Sequence, residues 1–136
     1  RKDSPSNIEA TGEFVVNMAT EALTNQMNAS SATVPNDVDE FELAGLTAEP
    51  SQLVKAPRVA ESPAHMECTF LKRVDLPSSN PAQRNEMIIG QVIGIHIRDE
   101  VLVDGLVDVT KFRPLARLGY MQYTVVEKVF TLDRPG

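Results

Sequence analysis

Hydrophobic positions along this chain follow two rhythms. Before residue 47 they come in short clusters bounded by Gly, Pro and capping residues; beyond residue 64 they alternate with polar ones over long stretches. Ser4-Pro5 reads as an N-cap followed by Pro at the first helical position, with Gly12 as the stop, which predicts a short helix over 5–11. EFVVNM, residues 13–18, predicts a strand rich in β-branched side chains. TEALTNQMNASS, residues 20–31, is helical in composition, with Leu23 and Met27 one turn apart. A loop over 32–38 leads to DVDEFELAGL, a second short helix with acidic residues at its start and Gly45 at its end. From 47 to 63 the chain carries Pro50, Pro57 and Pro63 and little periodicity. It predicts an extended wrapping segment that buries Leu53, Val54 and Val59.

The second half predicts strands. In HMECTFLKRVDL, residues 65–76, Met66, Cys68 and Phe70 alternate with His65, Glu67 and Thr69, the pattern of a strand with one buried face. A polar loop, LPSSNPAQRNE, precedes the long strand MIIGQVIGIHIRDE, residues 87–100. Met87, Ile89, Gln91, Ile93, Ile95 and Ile97 share one face of it. Ile88, Gly90, Val92, Gly94 and His96 share the other. Asp104-Gly105 predicts a tight turn. TVVEKVFTLDRP, residues 124–135, predicts a closing strand ended by Pro135. Helices early and strands late, without βαβ alternation, predict an α+β, mostly β fold: an antiparallel sheet or barrel with helices to one side.

Composition narrows the function classes. The 136 residues fit one domain over 1–136, and 42% hydrophobic with 24% charged is ordinary for a globular protein. The net charge of −6 and the lack of a basic stripe argue against nucleic acid. With Trp absent, an aromatic platform for single strands is not expected either. No apolar run approaches the roughly 20 residues of a membrane span. Cys68 is the only cysteine. It excludes an intrachain disulfide, fits a reducing, cytoplasmic setting, and alternates with apolar neighbours as a small core residue. His65 and His96 lie on different strands with no HxH or HExxH spacing, so no metal site is expected. GxSxG, P-loop and strand-GxGxxG-helix motifs are all missing from the sequence.

Three stretches remain as candidates for chemistry. RKDSPSN gathers Arg1, Lys2, Asp3 and Ser4 at a helix start, where unpaired N–H groups favour phosphate; taken alone, the stretch is explained more simply by a capped surface helix with solvated neighbours. In GQVIGIHI, Gly90 and Gly94 leave a trough on the face of His96, either for close approach of a ligand or for a barrel bend. RPLARLGYMQY sets Tyr120 in a compact loop that either places a phenol against a planar ligand or turns the chain before the last strand.

The run KDSPSNIEATGEFVVN resembles the Lys-Asp-Thr, Asn-Ile, Gly-Glu-Phe-Val-Val-Asn pattern of the flavin reductase-like proteins. MNASSA, DEFELAGLT, PRVAESPAHMEC, GQVIGIHI and RLGYMQY match that family in order and cover nearly the whole chain. Ser4 stands where the family usually has Thr. The resemblance implies an FMN-binding antiparallel split β-barrel with short flanking helices, acting as an NAD(P)H:FMN oxidoreductase by hydride transfer from NAD(P)H to FMN. It also implies a homodimer and, as a further partner, a monooxygenase. Lys2, Asp3 and Ser4, with Arg1 beside them, are then expected at the FMN phosphate, and His96 and Tyr120 near the isoalloxazine or the nicotinamide, His96 in an orienting role. Family members carry a portion ahead of the Lys-Asp-Thr motif that this sequence lacks. The chain is therefore expected to be the C-terminal two-thirds of the domain, its barrel incomplete. The alternatives are a non-catalytic flavin-binding or structural barrel, and a truncated remnant that needs a partner chain.

Overall fold

The computed structural model describes residues 3–136. Helix α1 (Asp3–Thr11) ends as expected: Gly12 takes φ +73° and its N–H bonds the Ile8 carbonyl at 2.7 Å. Its start is earlier than Ser4-Pro5 implied, so Ser4 lies inside the first turn rather than at the cap. The first four N–H groups of a helix have no internal partner, so a proline fits anywhere in that turn and does not fix the start.

Strand β1 (Glu13–Asn17) follows, then a 3₁₀ turn over Glu21–Leu23, helix α2 (Thr24–Ser30) and helix α3 (Glu40–Ala44). Helix α3 is closed at both ends. The Asp39 carboxylate accepts the Phe41 N–H at 2.9 Å, and Gly45 turns left-handed at φ +71°. The segment 47–63 wraps the sheet as expected, pinned by the two-residue strands β2 (Ala48–Glu49) and β3 (Arg58–Val59), which pair antiparallel. Val54 is buried but Leu53 is 59% exposed, contrary to expectation.

The principal sheet has order β1-β4-β5, antiparallel throughout, with β4 spanning Ala64–Leu76 and β5 Asn85–Ile97. Its β4–β5 register slips twice, between Glu67 and Cys68 and between Phe70 and Lys72. Each slip sits opposite a glycine region of β5, as bulges that bend a barrel strand do. The Ser62 hydroxyl, fully buried, bonds the carbonyls of Met18 (2.7 Å) and Ala64 (2.9 Å) and ties the end of β1 to the start of β4. A 3₁₀ turn (Asp99–Val101) leads into β6 (Leu102–Val103) and β7 (Leu106–Val107). These are joined by Asp104 (φ +52°) and Gly105 (φ +78°), the left-handed pair of the expected tight hairpin. Helix α4 (Val109–Phe112) precedes β8 (Leu115–Arg117) and β9 (Tyr123–Val125).

Two expectations need correction. The closing strand stops at Val125 instead of running to Pro135, because its partner β8 has only three residues and a strand persists only where it is paired. In β4 both faces are covered, and the polar one more fully. His65 (3%) and Glu67 (0%) are buried with Cys68 (2%), while Met66 and Phe70 are only partly covered. On β5 the relation is reversed. Met87, Ile89, Ile93, Ile95 and Ile97, the apolar face, are exposed, and the outer edge of β5 has no partner strand among the described residues.

Candidate functional site

Glu67 and the segment over it form the most highly organised polar arrangement in the sheet. Its carboxylate, closed from solvent, accepts the backbone N–H groups of Leu53 (2.7 Å) and Val54 (3.0 Å) at Oε1 and of Gln52 (3.2 Å) at Oε2. Oε2 also meets Nε2 of His96 on β5. In register terms Glu67 pairs with Gly94, so His96 is its diagonal neighbour on the same face. Burial alone would push the Glu67 carboxyl up. The bond from His96 and the three backbone N–H groups outweigh it and hold the carboxyl down at about 2.

His65 sits directly opposite His96, the rings edge to face at 6.2 Å between centroids. Its Nε2 donates to the Val59 carbonyl at 2.7 Å, while Nδ1 is buried with no partner among the described residues. Burial lowers the pKa of His65 and so favours the neutral ring. Both histidines line a cavity shared with Glu49, Arg58 and Arg98. Arg58 bonds the Pro50 carbonyl at 3.3 Å and pairs with Glu49 at 3.4 Å; Arg98 reaches the Ala60 carbonyl and pairs with Glu100 at 3.6 Å.

The glycine trough on the His96 face is occupied by the protein's own side chains. A Cβ at Gly90 would collide with the Phe14 ring, and one at Gly94 would come within 3.0 Å of Leu53 Cδ1. Close approach does explain both glycines, but what approaches is β1 at one and the wrapping segment at the other.

The remaining candidates are dispersed. Ser4 is exposed on the rim of a groove between α1, β1 and α3, with Asn7, Ile8 and Phe41 on its walls and Glu13 and Glu40 also lining it. Arg1 and Lys2 lie outside the described residues, as does the Asp3 side chain. Tyr120 (φ +58°) stands 95% exposed in the turn between β8 and β9, where Gln122 N–H bonds the Gly119 carbonyl at 3.1 Å. The loop therefore turns the chain, and it is Tyr123, not Tyr120, whose ring lies under the Arg117 guanidinium at 4.7 Å. Cys68 is buried and its thiol pushed up by desolvation, as a core residue rather than a nucleophile. No cluster of three metal-ligating side chains occurs among the described residues. No helix among them is long and apolar enough to cross a membrane.

From the sequence alone, Glu67 and His65 read as the polar face of a half-buried strand, not as site residues. A signal did exist: an acid and a histidine two apart on β4, with a third ionisable group, His96, in the facing strand beside two glycines.

The bent antiparallel sheet with short flanking helices is a split barrel. A Shewanella frigidimarina protein with a split barrel domain superposes with a TM-score of 0.83 at 26% identity, over 97% of this chain and 65% of that one. The flavin reductase like domain model matches residues 1–116, and the chain belongs to that family. An uncharacterized protein of Halalkalibacterium halodurans is 34% identical over 134 residues, 98% of this chain and 64% of the relative. Nitrilotriacetate monooxygenase component B from Bacillus cereus superposes with a TM-score of 0.88 at 29% identity, over 97% of this chain and 65% of that one. The chain thus spans a little under two-thirds of each of these proteins.

Proposed function

We propose that residues 1–136 form the larger part of a single-domain FMN-dependent flavin reductase, with the FMN phosphate taken at the start of α1. One observation carries this reading. The first turn of a nine-residue helix, bearing Ser4 and led in sequence by Arg1 and Lys2, opens onto a groove with apolar walls. These residues fall within the family match.

The donor set fits the group. Unpaired N–H groups of the first turn, the Ser4 hydroxyl and the Asn7 amide supply neutral donors, and Lys2 and Arg1 supply charge. Asp3 orients Lys2 or caps N–H groups rather than facing the dianion. Glu13, beyond the far end of α1, and Glu40 both line the groove and repel a phosphate, so the assignment to the helix start rests on the donors there. Ile8 and Phe41 offer apolar surface to a flat ring.

When bound, FMN supplies the redox chemistry, accepting hydride from NAD(P)H. The protein's part is to bind and orient. His96 lines a cavity separate from that groove. From its fixed seat on Glu67 it orients the nicotinamide, or that part of the isoalloxazine which extends to it, and the exposed ring of Tyr120 is available to a planar ligand or a neighbouring subunit. The likeness to a monooxygenase component supports a monooxygenase as consumer of reduced flavin. A homodimer in the cytoplasm is the working form this reading takes from the family resemblance alone.

The exposed apolar face of β5 favours a second reading, in which the chain binds flavin only in association with another polypeptide. Titration of FMN followed by flavin fluorescence, with and without the upstream segment that the family carries, separates the two. NADH and NADPH consumption dependent on FMN supports the reductase. Affinity without consumption supports a non-catalytic flavin binder, and no affinity in either form overturns the proposal.

A further inference from the structure

The Glu67–His96 pair has a consequence for which nitrogen of His96 can meet a ligand. A carboxylate this well supplied with donors only accepts, so the hydrogen between it and His96 belongs to Nε2. The opposite ring nitrogen, Nδ1, has no partner among the described residues. Unlike Nδ1 of His65, it is not a buried, unbonded atom. The His96 side chain is 18% exposed, at the cavity that Arg58 and Arg98 also line.

We propose that Glu67 is a positioning residue that fixes the tautomer of His96, with Nε2–H turned into the protein and Nδ1 presented to the cavity. Nδ1 is then a hydrogen-bond acceptor when the ring is neutral and a donor when it is protonated, so the exchangeable proton of His96 is the one facing a ligand. The groups around it from the packed elements are His65 on β4, Glu49 on β2, Arg58 on β3 and Arg98 after β5. The same carboxylate holds the 52–54 backbone, so the wrapping segment and the ring are fixed by one anchor. Gly94 lies beneath this anchor: a Cβ there would come within 3.0 Å of Leu53 Cδ1, while the Glu67 stem at 3.7 Å would be in ordinary contact.

The inference deepens the flavin reading by naming the His96 atom that would face flavin or nicotinamide. It rests on that reading only for the ligand's identity, since the tautomer is a property of the free chain. The test is nitrogen NMR of the ¹⁵N-histidine-labelled protein at about pH 8, where an ordinary histidine is neutral. The two histidines are told apart by a His65→Asn variant. The expected result is a pyridine-type Nδ1 and a protonated Nε2 for His96. A ring protonated at Nδ1 and bare at Nε2 in the unsubstituted chain overturns the proposal outright, whatever any variant does. A ring protonated at both nitrogens is re-measured at higher pH until one proton is lost, and loss from Nε2 overturns it equally.

Glu67→Gln keeps an amide oxygen for Leu53 and Val54 and turns an NH₂ toward His96. It is expected to switch the ring to the Nδ1–H tautomer, and Glu67→Asp to retain Nε2–H. An unchanged His96 tautomer in a folded Glu67→Gln variant also overturns it, because burial rather than the carboxylate would then set the ring. A merely structural Glu67 would alter the 52–54 amide signals without switching the ring nitrogens. Absence of FMN binding in the same samples, with the tautomers as expected, would sink the flavin reading and leave this one standing.

Discussion

The ring of Phe14 on β1 occupies the space that a side chain at Gly90 on β5 would need. These strands are not neighbours in the sheet, for β4 lies between them. A Cβ at Gly90 would run into the Phe14 ring and lie 3.0 Å from the Thr69 carbonyl oxygen, a backbone atom that cannot step aside. The sheet is therefore curved enough for a β1 side chain to cross β4 and cover β5, which is how three strands make the wall of a barrel.

Gly90→Ala is accordingly expected to destabilise the chain by about 1–3 kcal/mol through overpacking. Urea unfolding monitored by circular dichroism measures it. Phe14→Leu, which shortens the obstructing ring, should recover part of the loss when combined with Gly90→Ala, a non-additivity that a double-mutant cycle detects. Strict additivity of the two changes would mean that the ring and the glycine do not share this space.

What the sequence disclosed, and what it hid, follows from how local each determinant is. The helix stops at Gly12 and Gly45 and the Asp104-Gly105 hairpin are written in residues that govern their own backbone, and all three stand where expected. The alternation in β4 was equally plain, yet which face is buried depends on what packs there. The wrapping segment, drawn in by the Glu67 carboxylate, covers the polar face. Likewise Gly90 and Gly94 announced a close approach without saying by what. The length of the last strand was illegible for a similar reason, since its partner β8 is defined by a distant three-residue stretch. Ser4 and Lys2 entered as site residues through the family pattern and the chemistry of helix starts.

Acid should expose the Glu67 anchor. Its carboxyl is held at about 2 in the fold against an ordinary value of 4.5. A depressed folded-state value means that between those two pH values the unfolded chain binds the extra proton. Stability contributed by this group is thus complete above about pH 4.5 and is lost as the pH falls toward 2. Urea midpoints measured across that window should decline on acidification. In Glu67→Gln the decline should be shallower, on top of lower stability at neutral pH. Parallel declines in the two proteins would show that other carboxylates, not Glu67, govern the acid limb.

The bare face of β5 predicts self-association. Ile95 (64% exposed), Met87 (45%) and Ile93 (43%) form an apolar surface beside an unpaired strand edge, the combination that draws in another chain. Sedimentation velocity of residues 1–136 should show species larger than the monomer. Ile93→Thr combined with Ile95→Lys should return the chain toward the monomer with little loss of fold, because neither side chain is part of the buried core. A wild-type chain that sediments as a monomer at high concentration would refute this.

The phosphate assignment makes the sharpest demand on Lys2 and Ser4. A charge-assisted contact to a dianion contributes about 1–3 kcal/mol, so Lys2→Ala should weaken FMN binding by roughly 5- to 150-fold. Ser4→Ala removes one neutral donor and should cost less, about 0.5–1.5 kcal/mol. Riboflavin, which lacks the phosphate, separates a local effect from a general one. Both substitutions should leave its affinity unchanged, because the ring contacts proposed along the groove do not involve them. The Lys2 effect should also shrink as salt is raised, since Lys2 acts through charge, whereas the Ser4 effect should hold nearly constant. Equal losses for FMN and riboflavin would move the phosphate away from the start of α1. Fluorescence titration of the two flavins against the three proteins supplies the comparison directly.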